Sequence, residues 1–266
     1  MLYLILLFIF GTVIGSFLNL CIHRLPRGES IIKPRSHCPG CNRILQPWEL
    51  IPIFSYLLAQ GRCRYCDQPI SLRYPLVELV TGLLFVVVAF RFSAFSQMVE
   101  YIFTVIFTCL LVLVFFIDLE KQVVVDNIVL GGISFGLVLN YIRGLSWPDG
   151  SGINPFISAV LGMIIGYVIL YLIRAISSFI LKKEAMGEGD LFIAALLGAY
   201  LGWQGMFLSL FLAFFVGGLA GVILLVFKKA KLGAYLPFGP SLVVGGLLAL
   251  FFQAQIIAWY INLFSL

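Results

Sequence analysis

Charge is what this sequence has least of. Asp, Glu, Lys and Arg together make up 11% of its 266 residues, against 62% hydrophobic, and the mean hydropathy is +1.09. That balance excludes a soluble globular domain of this length and points to a polytopic helical membrane protein. Lipid offers backbone groups no hydrogen bonds, so the apolar runs must close their own as helices. Basic residues ahead of the first run, MLYLILLFIFGTVIGSFLNL, are also lacking, and no small-x-small site follows it. A cleavable secretion signal is thereby excluded, and the run reads as a retained span. No internal repeat or low-complexity segment stands out.

What is present is apolar length. Candidate spans lie at roughly 1–20, 76–92, 99–117, 128–143, 156–181, 187–203, 206–227 and 240–263, about eight transmembrane helices in an all-α fold. Residues 187–227 are about twice the ~20 needed to cross, and GWQG at 202–205 marks a turn between two spans. The 26 glycines suit close helix approach in lipid. Three regions follow: a first helix at 1–20, a polar segment at 21–75, and a bundle at 76–266.

The net charge of +5 matters less than where the basic residues stand. If 21–75 faces the cytoplasm, so do the loops at 118–127, 182–190 and 228–239. That side then holds fourteen Lys and Arg, including Lys121, Lys182, Lys183, Lys228, Lys229 and Lys231, while the other keeps Arg91 and Arg143. Such a bias sets orientation, with both termini outside, and implies no nucleic-acid partner. Arg174 lies within the fifth span and reads as structural, pairing in the bundle or snorkelling to its edge.

The segment 21–75 carries Cys38-x-x-Cys41 and Cys63-x-x-Cys66. Two such knuckles supply four thiolates, the tetrahedral set that zinc prefers. The alternatives are two disulfides, which a reducing cytoplasm disfavours, or iron, which four thiolates do not exclude. A full set leaves no open position, so the metal is structural. With few large apolar groups, the loop is expected to take its order from it. Cys21 and Cys109 read as small buried hydrophobes. His23 and His37 read as locally hydrogen-bonded.

Two acids mark the bundle. Asp118 directly follows the apolar run LVLVFFI, and Asp190 sits in Gly187-Glu188-Gly189-Asp190 before another. By the topology above, both lie at the same cytoplasmic depth. Taken singly, Asp118 reads equally as the first hydrated residue after a span, and Asp190 as an acid favoured at a helix N-terminus. Together, flanked by glycines that admit another chain closely, they suit a shared site. Two carboxyls at one site hold a proton between them. The charged one takes a proton from an attacking water while the other polarises the amide carbonyl, which is aspartic peptide hydrolysis without a metal. Asp126 reads as an N-cap, and Glu120, Glu184 and Glu188 as solvated. Glu78 is left between a pair with Arg73 and a pocket.

These residues resemble the bacterial type IV prepilin peptidases. The likeness runs from GSFLNL at 15–20 through the four cysteines to RYPLVELVTG at 73–82, and includes IDLEKQVVVD at 117–126, GEGDLFIAALLGAYLGW at 187–203 and PFGP at 237–240. The resemblance implies a Gly-x-Gly-Asp aspartic endopeptidase of the inner membrane with Asp118 and Asp190 catalytic. It implies prepilin and pseudopilin substrates, cut after the glycine that ends a short basic leader on the cytoplasmic side. It further implies N-methylation of the new terminus with S-adenosylmethionine. No glycine-rich strand–turn–helix signature for that donor is visible, so a peptidase without methyltransferase activity is an alternative. Two departures stand out: Val125 where the family usually has proline, and Phe192 where it commonly has lysine. From other classes, a proton-coupled transporter would predict pseudo-symmetric halves, which are not seen. A membrane scaffold using the zinc module would leave Gly-x-Gly-Asp unexplained.

Overall fold

The computed structural model describes residues 2–92, 97–145, 147–148, 152–182, 186–227 and 238–264. Lys183, Glu184, Lys228, Lys229, Lys231 and Pro237 lie outside these. Among the described residues eight helices run in order: α1 Leu2–Arg24, α2 Phe54–Leu58, α3 Arg73–Arg91, α4 Met98–Lys121, α5 Asp126–Leu145, α6 Pro155–Leu181, α7 Glu188–Val226 and α8 Gly239–Phe264. All but α2 are long and apolar enough to cross a membrane. The protein is therefore a multi-pass membrane protein.

The chain forms two compact units, Met1–Leu113 and Val114–Leu266, with the boundary inside α4. In the first, α1 packs on α3 through small residues. A Cβ on Gly11 would lie 2.8 Å from Gly82 Cα, and one on Gly15 would lie 2.7 Å from Glu78 Cα. Gly11 and Gly15 are the G-x-x-x-G spacing that lets two backbones approach in lipid. The Asn19 amide donates to Tyr74 O at 2.9 Å and fixes the register. The segment between these helices holds only α2, the short turns Leu25–Arg27 and Pro47–Leu50, and isolated bridges. Its order does not come from an apolar core. It carries more large apolar groups than expected, but Trp48, Ile51, Phe54, Leu57 and Leu58 are all exposed.

In the second unit the 39 residues of α7 are too many for one crossing. Two helical stretches meet within α7 at a kink, where Gly202 stands at φ 70°, ψ −178°. An L residue with a side chain is disfavoured at that positive φ, so glycine is the residue that breaks the helix. Gly166 of α6 touches both Ala194 and Met206, and on α8 Gly246 meets Leu197 while Gly245 meets Ser209 and Ala213. Ala194 and Met206 would stand about 18 Å apart on a straight helix. The helix thus folds back, and its arms, 188–201 and 203–226, lie side by side. The seven long helices contain the eight expected apolar segments, with the sixth and seventh as arms of α7. Asn140 of α5 receives the end of the first arm, donating to Ala199 O at 2.9 Å.

Candidate active site

Asp118 sits one turn before the end of α4. The chain then reverses: Gln122 takes φ 53° and its N–H donates to Asp118 O at 2.9 Å. The returning segment brings Val124 against Gly189, where a Cβ would overlap the valine side chain. The glycine before Asp190 is therefore a seat for the loop after Asp118. Gly187 is the extended N-cap of α7, which makes Asp190 the third residue of the helix. A carboxylate at that position can reach back to the cap N–H. The Asp190 carboxyl accepts from the backbone of Gly187 and also from that of Gly239.

Gly239 is the meeting point. It opens α8, its backbone bonds Asp190, and a Cβ on it would overlap Asp118 Oδ2. The two carboxyls are close enough to interact electrostatically. Both are buried, Asp118 at 6% and Asp190 at 5% exposure. Asp118 Oδ2 has no hydrogen-bond partner among the described residues. A buried acceptor left without a donor is costly, and a site built to receive a water or a substrate group explains it. Three helices thus converge on one small polar patch in an apolar setting.

The other acids lie elsewhere. Glu188 pairs with Arg174 at 3.1 Å on the surface, so Arg174 has a structural partner. Asp126 is exposed at the start of α5. Glu78 is buried on α3 and accepts from the Ile53 N–H at 2.7 Å. Phe192 packs edge-on against Tyr167 of α6, with centroids 5.9 Å apart. Two residues beyond Asp190 a helical side chain points away from it, so the departure at Phe192 does not touch the carboxyl pair. The contribution of Gly239 was not foreseen. Its only signal was the PFGP motif in which it lies.

The four cysteines form a second centre, within the first unit. Their sulfurs all lie within 4.8 Å of one another, and Cys38 Sγ to Cys66 Sγ is 3.8 Å. A zinc tetrahedron with Zn–S of ~2.3 Å has an edge of about 3.8 Å, so the set fits. The two knuckles are built alike. Cys38 N–H donates to Arg43 O and Asn42 N–H to Cys38 O; Cys63 N–H donates to Gln68 O and Asp67 N–H to Cys63 O. Asn42 and Asp67 both take φ 55°. Arg43 stacks over Tyr65 and ties the knuckles together. Burial pulls the Cys38 thiol up, but the amides of Cys41 and Gly40 and the adjacent thiols outweigh it and bring it down to about 7. At Cys66 the Gln68 amide favours the thiolate, yet desolvation and the other three sulfurs push it up to about 12. Four crowded sulfurs do not all ionise without a cation, which is the chemistry of a metal donor set. His37 hydrogen-bonds Arg35 O instead.

Known proteins bear on both centres. Residues 9–92 match the family model of the bacterial peptidase A24 N-terminal domain, and residues 105–222 match that of the type IV leader peptidase family. A prepilin leader peptidase/N-methyltransferase of Aeromonas salmonicida (strain A449) is 35% identical, covering 98% of this chain and 94% of that protein. Proteins of the same name from Pseudomonas putida and Neisseria gonorrhoeae are each 35% identical, over 94% and 90% of this chain and 91% and 86% of theirs. No solved structure matches.

Proposed function

The chain belongs to the type IV leader peptidase family, and on that footing we propose that it is a prepilin leader peptidase and N-methyltransferase whose proteolytic centre is the Asp118–Asp190 pair. The observation that carries this reading is the convergence of two buried carboxyls at Gly239, one without a partner.

The pair holds one proton between its two carboxyls. The charged carboxyl takes a proton from a water lodged between the two as that water attacks the scissile carbonyl. The protonated one donates to the carbonyl oxygen; as the tetrahedral intermediate collapses it takes that proton back, and the carboxyl that received the water's proton passes it to the leaving amine. The Gly187 and Gly239 backbones orient Asp190 through both steps. The apolar surroundings exclude bulk water and so strengthen each interaction at the reacting atoms. The small Gly189 and Gly239 let the loop after Asp118 and the start of α8 close in on the carboxyls and hold them in place.

The substrate is a prepilin or pseudopilin, its apolar helix in the bilayer and its basic leader in the cytoplasm. The site then lies at the cytoplasmic face of the inner membrane, as the distribution of Lys and Arg supports. Zinc would be held by Cys38, Cys41, Cys63 and Cys66 in a closed structural site. S-adenosylmethionine would supply the methyl group for the newly exposed amine. Among the described residues there is no strand, so a donor site of the strand–turn–helix kind is not found there.

The test is incubation of the purified protein with a prepilin, with and without S-adenosylmethionine, and mass analysis of the products. Asp118→Asn and Asp190→Asn each should abolish leader removal while the protein stays inserted and keeps its zinc. Normal cleavage by either variant refutes the assignment. A scaffold using the zinc module predicts the reverse, with function lost on removal of the cysteines alone.

A further inference from the structure

Glu78 is a buried carboxyl in a membrane span that neither cleavage nor metal binding uses. An acid in such a place requires a specific reason. It accepts from the Ser16 hydroxyl of α1 and from the Ile53 N–H at 2.7 Å. Ile53 belongs to the polar segment between α1 and α3, not to either helix. It stands at φ 62°, ψ −52°, an unfavourable angle for a β-branched residue, at the turn from Ile51-Pro52 into α2. The contact fixes a depth. Glu78 is five residues into α3, about 7.5 Å along its axis from Arg73. Ser16 is eight residues before the end of α1 at Arg24, about 12 Å along that helix. Ile53 therefore lies alongside the two helices, well below the basic residues that end them.

Around Ile53 the surface is apolar. The Pro47–Leu50 turn packs on α2, and together they leave Trp48 62%, Phe54 67%, Leu57 61% and Leu58 72% exposed. Phe54, Leu57 and Leu58 follow the i, i+3, i+4 spacing of one helical face. Water at this patch would be unfavourable. Interfacial segments rest with their apolar face ~5–10 Å into the headgroup–acyl boundary, which matches the depth that Glu78 sets. A backbone N–H turned inward at such a depth needs an acceptor from the protein. Glu78 is that acceptor.

We infer that residues 47–58 form a re-entrant interfacial loop whose Trp48, Phe54, Leu57 and Leu58 sit among the acyl chains of the leaflet at which α1 ends and α3 begins, with Glu78 receiving the Ile53 N–H. The inference is independent of the proteolytic reading. It assigns the loop a lipid partner through apolar area rather than charge, so it holds in a zwitterionic bilayer.

The experiment uses the full chain in phosphatidylcholine nanodiscs, with Trp147, Trp203 and Trp259 replaced by Phe so that Trp48 alone emits. Bromines near the headgroup end of the acyl chains should quench more than half of the Trp48 emission. Bromines near the chain ends should quench less, and aqueous iodide little. Glu78→Ala should release the loop, shifting Trp48 from bromolipid to iodide quenching, while Glu78→Gln, which keeps an acceptor for Ile53, should restore the original pattern. Quenching by iodide alone overturns the inference, because the loop is then in water. Quenching by neither overturns it also, because protein then covers the patch. On the unmodified chain, a diazirine-bearing phospholipid should label peptides covering 47–58 more than those covering 35–46. Equal or absent labelling of 47–58 has the same force against it, and holds should the tryptophan variants fail to insert.

Discussion

Gly239→Ala isolates the geometry of the carboxyl pair without removing either carboxyl. The added Cβ would overlap Asp118 Oδ2 and come within 3.0 Å of its Cγ and 3.1 Å of Ile193 Cδ1. Backbone conformation is no obstacle, since Gly239 opens a helix and has no positive φ. Alanine is moreover the better helix former. The Ile193 side chain can yield by a few tenths of an ångström, so the overpacking cost should stay near the low end of ~1–3 kcal/mol. The Asp118 carboxyl has to move by roughly 1 Å to reach ordinary contact, and a displacement of that size at reacting groups lowers rate by about 100-fold. That corresponds to about 2.7 kcal/mol in the barrier. The assay is the initial rate of leader removal from a prepilin by protein in nanodiscs, with zinc content and monodispersity as controls for folding. Gly131→Ala serves as the comparison, because a Cβ there meets nothing within 4 Å; it should leave the rate unchanged. If Gly239→Ala cleaves at the wild-type rate while Asp118→Asn is inactive, the two acids do not meet at Gly239 and the reasoning fails.

Gly198→Ala should cost about 1–3 kcal/mol in thermal unfolding in detergent, since its Cβ would overlap the backbone of Gly162 and backbone cannot yield as a side chain does. An unchanged unfolding midpoint would contradict the close approach of α6 and α7. Asn140→Leu removes the donor to Ala199 O and should destabilise by about 1–3 kcal/mol, measured the same way, as the end of the first arm of α7 loses its partner. Purified protein should carry about one zinc, read by elemental analysis. Zinc should be retained at neutral pH and lost on acidification, because protons compete for the thiolates. Cys63→Ser should bind metal more weakly at every pH.

Several elements were open to reading from the chain alone. Apolar runs between short polar interruptions specify helices in lipid, because no other structure satisfies the backbone there. The cysteine spacing specifies a knuckle that can hold a metal, because both sulfurs of a C-x-x-C pair lie on one turn. Asp118 and Asp190 stand out for being ionisable where ionisation is costly. The turn at 202–205 was signalled by glycines. In each case the signal is local, set by a residue and its near neighbours in sequence.

What the tertiary structure decided is which distant residues meet. Nothing in the runs themselves says that Gly239 lies beneath both acids, that Val124 rests on Gly189, or that Glu78 reaches across to Ile53. Hydropathy records how each residue partitions between water and lipid, one residue at a time. A contact across 49 or 121 positions, as from Asp190 or Asp118 to Gly239, depends instead on how each helix is rotated and how closely it packs. Those quantities are set jointly by all the small and large side chains at the helix interfaces, and they exist only once the bundle has formed.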